Sequence, residues 1–259
     1  MSQYPLKVEG KFKYSESSTD KKETILLLHG LMGGLSNFTE LIEYFSTDYN
    51  VVFPIIPIYD APMLSVSVQG FVDYIVEFIN YKGYSKVHLC GNSLGGHVGL
   101  LTTLKEQDRV ATLTLTGSSG LYESAMGSTF PRRGDFDYIK KKTEEVFFDP
   151  AIATEELVKE IFDTVNDRGK AIRIVATSKS AIRHNLSDKL HLIKIPVLLI
   201  WGKHDSVTPP FVAEKFNELI ENSRLVWIDK CGHAPMMEHP AEFNAVYGSF
   251  LKEVLAEKA

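Results

Sequence analysis

Six short apolar runs recur along the chain, and amphipathic patterns of helical period separate most of them. Residues 24–28 are almost wholly apolar, as expected of a strand covered on both faces. Residues 51–58 form a second run, broken by Pro54 and Pro57, and further runs lie at 86–90, 111–116, 197–201 and 224–228. Ahead of them, residues 6–17 alternate in polarity, which predicts an opening strand or hairpin. Helical patterns fall at 36–45, 68–81, 93–105, 209–220 and 241–255. Alternation of this kind predicts the α/β class: a mostly parallel central sheet flanked by helices.

One stretch breaks the rhythm. Roughly eighty residues, 117–195, separate the fourth and fifth runs, where a connection of a few residues is usual. Within it, 136–146, 154–165 and 169–184 read as helices, the second opening on Thr154-Glu155-Glu156, an N-cap followed by an acidic first turn. The predicted organisation is a core of residues 1–120 and 191–259, with 121–190 inserted as a helical cap. The apolar faces of those helices, with Ile139, Leu157, Ile161 and Phe162, need a cover, either the open edge of the sheet or one another.

Candidate chemistry concentrates at the ends of the runs. The third leads into Gly91-Asn92-Ser93-Leu94-Gly95, followed by a small-residue helical pattern. Strand, sharp turn and helix would push the Ser93 hydroxyl out at the carboxyl edge of a sheet. A serine is a weak nucleophile until a base takes its proton, and a histidine base needs a carboxylate to orient it. Two later segments supply both. Asp205 follows the fifth run in Trp201-Gly202-Lys203-His204-Asp205, and His233 follows the sixth in Cys231-Gly232-His233. The competing position for the acid, after the fourth run, reads Gly117-Ser118-Ser119-Gly120 and carries no carboxylate; Glu123 lies already in the insertion. Acyl transfer would also need backbone donors for an oxyanion. The candidates are the N–H of Leu94, at a helix start, and that of Leu31 in the small-residue loop His29-Gly30-Leu31-Met32-Gly33. His29 itself reads as a structural histidine that holds this loop.

These motifs together resemble the α/β-hydrolase superfamily over nearly the whole length. Within it the chain is similar to capped esterases and to meta-cleavage-product hydrolases, which cut C–C bonds in vinylogous diketones. The resemblance implies a serine hydrolase with Ser93, His233 and Asp205 as catalytic triad and Leu31 and Leu94 as oxyanion hole. The expected reaction is cleavage of a small, mostly apolar carboxylic ester through an acyl-enzyme. The alternatives are a C–C hydrolase on the same triad and a slow-turnover, hydrolase-like receptor. Arg132 and Arg133 are candidate substrate-binding residues, because an arginine fork can hold a substrate carboxylate; otherwise they are solvated loop residues.

Composition narrows the partners. The 259 residues carry a formal net charge of −5, and no basic, aromatic-interleaved patch suggests nucleic acid. No apolar stretch approaches the ~18 residues of a membrane span, and the N-terminus has no signal-peptide pattern. Two cysteines, Cys90 and Cys231, are too few for a disulfide framework and point to free thiols in the cytoplasm. No metal-ligand spacing and no dinucleotide fingerprint occurs, so neither metal nor cofactor is expected. The expected partner is a small-molecule ester or related carbonyl compound, with no membrane association; the oligomeric state is open.

Overall fold

The computed structural model describes residues 4–123, 132 and 134–256. Its strands are β1 (Lys7–Glu9), β2 (Phe12–Glu16), β3 (Thr24–Leu28), β4 (Asn50–Pro54), β5 (Val87–Asn92), β6 (Val110–Thr116), β7 (Val197–Gly202) and β8 (Ser223–Ile228). They form one sheet in the order β1-β2-β4-β3-β5-β6-β7-β8. The opening pair is an antiparallel hairpin, and β2 joins β4 antiparallel; from β4 to β8 every pairing is parallel. The helices are α1 (Thr39–Phe45), α2 (Val68–Lys82), α3 (Leu94–Lys105), α4 (Phe136–Glu144), α5 (Glu155–Asn166), α6 (Arg168–Arg183), α7 (Pro210–Leu219), α8 (Pro235–Glu238) and α9 (Pro240–Ala256).

The apolar runs from β3 to β7 are strands because both of their faces are buried, while the sixth, β8, is a partly exposed edge strand. Leu26, Leu28, Leu113 and Leu115 pack with α2, α3 and α7, while their neighbours Ile25 and Leu27, with Leu198 and Ile200, pack with α1 and α9. Each such side chain contributes roughly 2 kcal/mol by leaving water. The second run is shorter as a strand than as a pattern. It stops at Pro54, and the Ile56 N–H is taken by the His29 ring at 2.9 Å rather than by a ladder partner.

Register decides which loops meet. Leu28 pairs with Gly91 and Asn92 with Thr116, so His29, Ser93 and Gly117 leave three adjacent strands side by side. Across β7 and β8, Gly202 pairs with Ile228, so the loops carrying Asp205 and His233 also leave together.

Helices α4, α5 and α6 fill the long connection between β6 and β7. Thr154 caps α5 as its sequence predicts, accepting the Leu157 N–H. One residue from each helix, Ile139, Val165 and Ile174, makes a small buried cluster, against which Leu31, Met32 and Tyr59 of the sheet-edge loops pack. The chain just after α4 is bound to the loops beyond β7 and β8. Ser206 Oγ donates to the Glu145 carbonyl at 2.8 Å, and the His233 N–H donates to that of Val146 at 2.9 Å. The Glu238 carboxylate completes the junction, accepting the N–H groups of Gly232 and Phe148, each at 2.7 Å, and of Asp149 at 3.3 Å.

An amide at position 238 would turn an N–H donor toward other N–H donors, so Glu238→Gln should lose about 1–3 kcal/mol of unfolding free energy in urea titrations. At the far edge of the sheet, Glu16 is buried and accepts from Lys7, Lys82, Tyr84 and Asn50. Burial alone would raise its pKa, but the Lys7, Tyr84, Lys82 and Asn50 hydrogen bonds outweigh it and hold the carboxyl below the ordinary carboxylate range. A depressed folded pKa gives stability that is present above the unfolded pKa of about 4.3 and is lost as pH falls through the folded value. Glu16→Gln should therefore cost about 3 kcal/mol at pH 7, with the gap to wild type closing below about pH 4.

Candidate active site

Ser93 is the single residue between β5 and α3, at φ 54 and ψ −119. A side-chain-bearing residue in that region costs about 1–3 kcal/mol, so the surroundings must hold it there. Its N–H donates to the Thr116 carbonyl at 3.1 Å, and its own carbonyl accepts from the N–H groups of His97 and Ser119, each at 3.2 Å. Close approach does the rest: a Cβ on Gly95 would run into the backbone carbonyl of Leu28. Leu94 is the first residue of α3, where N–H groups have no partner within the helix.

Asp205 and His233 are brought together from loops 28 residues apart. Asp205 is buried, and its carboxylate accepts the Val207 N–H at 2.8 Å, the Thr208 N–H at 2.9 Å, the Thr208 hydroxyl at 2.8 Å and His233 Nδ1 at 2.9 Å. A carboxylate at Nδ1 assigns the proton to that nitrogen and leaves Nε2 as the basic one. His233 is fixed at both backbone groups. Its N–H is held by Val146, and its carbonyl accepts from Asn92 Nδ2 at 3.1 Å, which also donates to the Thr116 carbonyl at 3.1 Å. The ring lies against Gly117, where a Cβ would stand 2.7 Å from Nδ1.

Ser93 and His233 both line one cavity of about 540 Å³. Its walls are mainly apolar, with Leu31 and Met32 from the loop after β3, Ile139 from α4 and Leu157 from α5. His29 holds the loop of Leu31. Its Nδ1 donates to the Gly30 carbonyl at 2.8 Å, its Nε2 accepts from Ile56, and burial pushes its pKa down to about 4, so the ring is neutral. The Tyr59 hydroxyl donates to the Leu31 carbonyl at 2.7 Å. His97 is buried and donates through Nε2 to the His184 carbonyl at 2.9 Å, joining α3 to the end of α6.

Of the two candidate arginines, Arg132 is exposed, its guanidinium 5.5 Å from the centre of the Tyr138 ring. Tyr138 lines the cavity and Arg132 does not. Arg133 lies outside the described residues. Sequence reasoning gave no role to Asn92 and Glu238, and it weighed Glu123 only as an acid already in the insertion. Asn92 bonds a residue 141 positions away, a partnership no local pattern announces. Glu123 is on the cavity wall, its Oε1 accepting the Gly120 N–H at 2.6 Å, and burial pushes its carboxyl up to about 7. Cys90 and Cys231 are both buried free thiols. Among the described residues no cluster of His, Cys, Asp or Glu could hold a metal ion, and no helix is long and apolar enough to cross a membrane.

Comparison with known proteins agrees with this architecture. Residues 25–246 match the Alpha/beta hydrolase family. A 2-hydroxy-6-oxononadienedioate/2-hydroxy-6-oxononatrienedioate hydrolase of Paraburkholderia phymatum is 27% identical, the match covering 89% of this chain and 87% of that protein. A pimeloyl-[acyl-carrier protein] methyl ester esterase of Neisseria meningitidis is also 27% identical, over 93% and 81% of the two chains. Among solved structures, an alpha/beta hydrolase enzyme from the metagenome of sediments of the Mar Chica lagoon, Morocco, is 44% identical. It superposes with a TM-score of 0.79 over 96% of this chain and 98% of that one. The family match over most of the chain, on a sheet of this order, means that the chain belongs to the alpha/beta hydrolase family of enzymes.

Proposed function

We propose that this hydrolase cleaves small, mostly apolar carboxylic esters through an acyl-enzyme. The observation that carries the reading is the buried 2.9 Å contact between His233 Nδ1 and Asp205, on the wall of the cavity that Ser93 also lines. In this mechanism His233 Nε2 takes the Ser93 proton as Oγ attacks the ester carbonyl. Asp205 keeps the imidazole in its tautomer and stabilises the imidazolium. The N–H groups of Leu31 and Leu94 hold the oxyanion, and the imidazolium protonates the departing alcohol. Water then repeats the sequence on the acyl-enzyme. Helices α4, α5 and α6 act as the cap, in which α4 and α5 supply the apolar wall that selects the acyl or alcohol group. The working location is the cytoplasm.

The relative that acts on 2-hydroxy-6-oxononadienedioate supports a second reading, C–C hydrolysis on the same residues, with Arg132 or Arg133 holding the substrate carboxylate. A panel of p-nitrophenyl esters of rising acyl length separates these readings from that of a slow-turnover receptor. Ester turnover should be lost by roughly 10⁵–10⁶-fold in Ser93→Ala or His233→Ala, the double variant being barely worse, and by about 10⁴-fold in Asp205→Asn. A fluorophosphonate probe should label Ser93 in the wild type. Labelling that persists in Ser93→Ala places the nucleophile elsewhere, and a preference for carboxylate-bearing diketones that collapses in either arginine variant replaces ester by C–C hydrolysis.

A further inference from the structure

The described wall of the cavity carries three side chains that can hold a full charge besides His233: Glu123, Lys142 and Glu145. Two of them cancel. Lys142 and Glu145, at the end of α4, pair at 2.6 Å. The remaining titratable groups on the described wall are Tyr122, beside Glu123, and Tyr138 on α4; Asp205 lies behind His233 and is bonded to it. Glu123 therefore faces the cavity with no cation beside it among the described residues. Among the described residues its one hydrogen bond is from the Gly120 N–H to Oε1. That bond also fixes its place. Gly120 follows Ser119, whose N–H is bonded to the Ser93 carbonyl, and the Gly120 carbonyl accepts from Leu186 at 2.8 Å. The carboxyl is thus carried on a short braced segment next to the Ser93 turn.

We propose that Glu123 is a specificity residue of this cavity, which selects substrates that are uncharged or carry a hydrogen-bond donor and turns away those that carry a carboxylate. The inference rests on the cavity being the ester-hydrolysing site, and it names the substrate class of that site. Two carboxylates in one poorly solvated space repel strongly, and the substrate is the partner free to leave. Burial places the Glu123 carboxyl near neutrality, so discrimination grows as it ionises. Below that range the protonated carboxyl is a donor and tolerates an anionic substrate.

The test compares two esters of equal length, p-nitrophenyl hexanoate and the mono-p-nitrophenyl ester of adipic acid, from pH 5.5 to 8.5. In the wild type the adipate-to-hexanoate ratio of kcat/KM should fall on the order of tenfold as pH rises across this range. The adipate carboxylate is ionised throughout, so its own titration does not enter. Any other group that titrates in this range acts alike in wild type and Glu123→Gln. The difference between their profiles isolates position 123: Glu123→Gln should raise the ratio several-fold at pH 8.5 and leave it near the wild-type value at pH 5.5. A wild-type ratio that does not vary with pH overturns the proposal, whether or not the variant folds. So does an adipate preference at pH 8.5 that disappears in Arg132→Ala. Calorimetric binding of hexanamide and of adipamic acid to Ser93→Ala repeats the comparison without turnover. If neither ester is hydrolysed but hexanamide binds more tightly than adipamic acid at pH 8.5, and Glu123→Gln in that background removes the difference, the ester reading fails and the specificity role stands. Equal binding of the two amides overturns the specificity role.

Discussion

The turn at Ser93 is possible only where the chain around it has almost no volume. One residue with a left-handed φ joins β5 to α3, and α3 then runs so close to the end of β3 that Gly95 cannot carry a side chain. That approach brings the loop of Leu31 beside the Ser93 turn, so close that a Cβ on Gly30 would stand 3.2 Å from the Ser93 Cβ. The parallel register completes the arrangement, because Leu28 lies level with Gly91, and Asn92 with Thr116, across three strands. The loop leaving each of these strands is therefore a neighbour of the loop leaving the next. The site is a consequence of where the sheet ends, with the strained turn at its centre.

A second constraint joins the inserted helices to this edge. The chain from Glu145 to Asp149 supplies two carbonyls and two N–H groups to the loops beyond β7 and β8 and to α8. His233 is held on one side by that segment and on the other by Asn92, the residue just before Ser93. The imidazole is thus referenced to the serine through one amide side chain and to the insertion through one backbone bond. Any motion of α4 to α6 that changed access to the cavity would have to pivot outside residues 145–149, or it would carry His233 with it.

The sheet was legible because its central strands, β3 to β7, are buried on both faces, so short apolar runs mark them, and 24–28 is a strand over its whole predicted span. The run at 51–58 over-reached, since Ile56 and Ile58 are buried by loop packing beyond Pro54 rather than by the ladder. Ser93, Asp205 and His233 were legible as positions because each comes after a run at a fixed kind of place. Asn92 and Glu238 were not, because their partners are loops whose proximity only the folded register creates. Lys142 illustrates the same limit: nothing in the run Lys140-Lys141-Lys142 marks it out, yet it lines the cavity and pairs with Glu145. Helical period says which residues share a face, but it does not say that a neighbouring element leaves a cavity there.

The carboxylates of this protein show how donor count, more than depth, assigns a role. Asp205 receives four hydrogen bonds, three from its own loop and one from His233, and is spent on orienting that ring. Glu238 receives three backbone N–H groups and serves as a junction. Glu16 collects four side-chain donors, which overcome the cost of its burial and hold it below the ordinary range. Glu123 receives one among the described residues, and there burial wins, so its carboxyl is pushed up to about 7. An acid whose acceptors are all occupied has nothing left to offer a ligand. An acid with one bond among the described residues, on the wall of a cavity, keeps an oxygen for whatever enters, and its charge changes near neutrality.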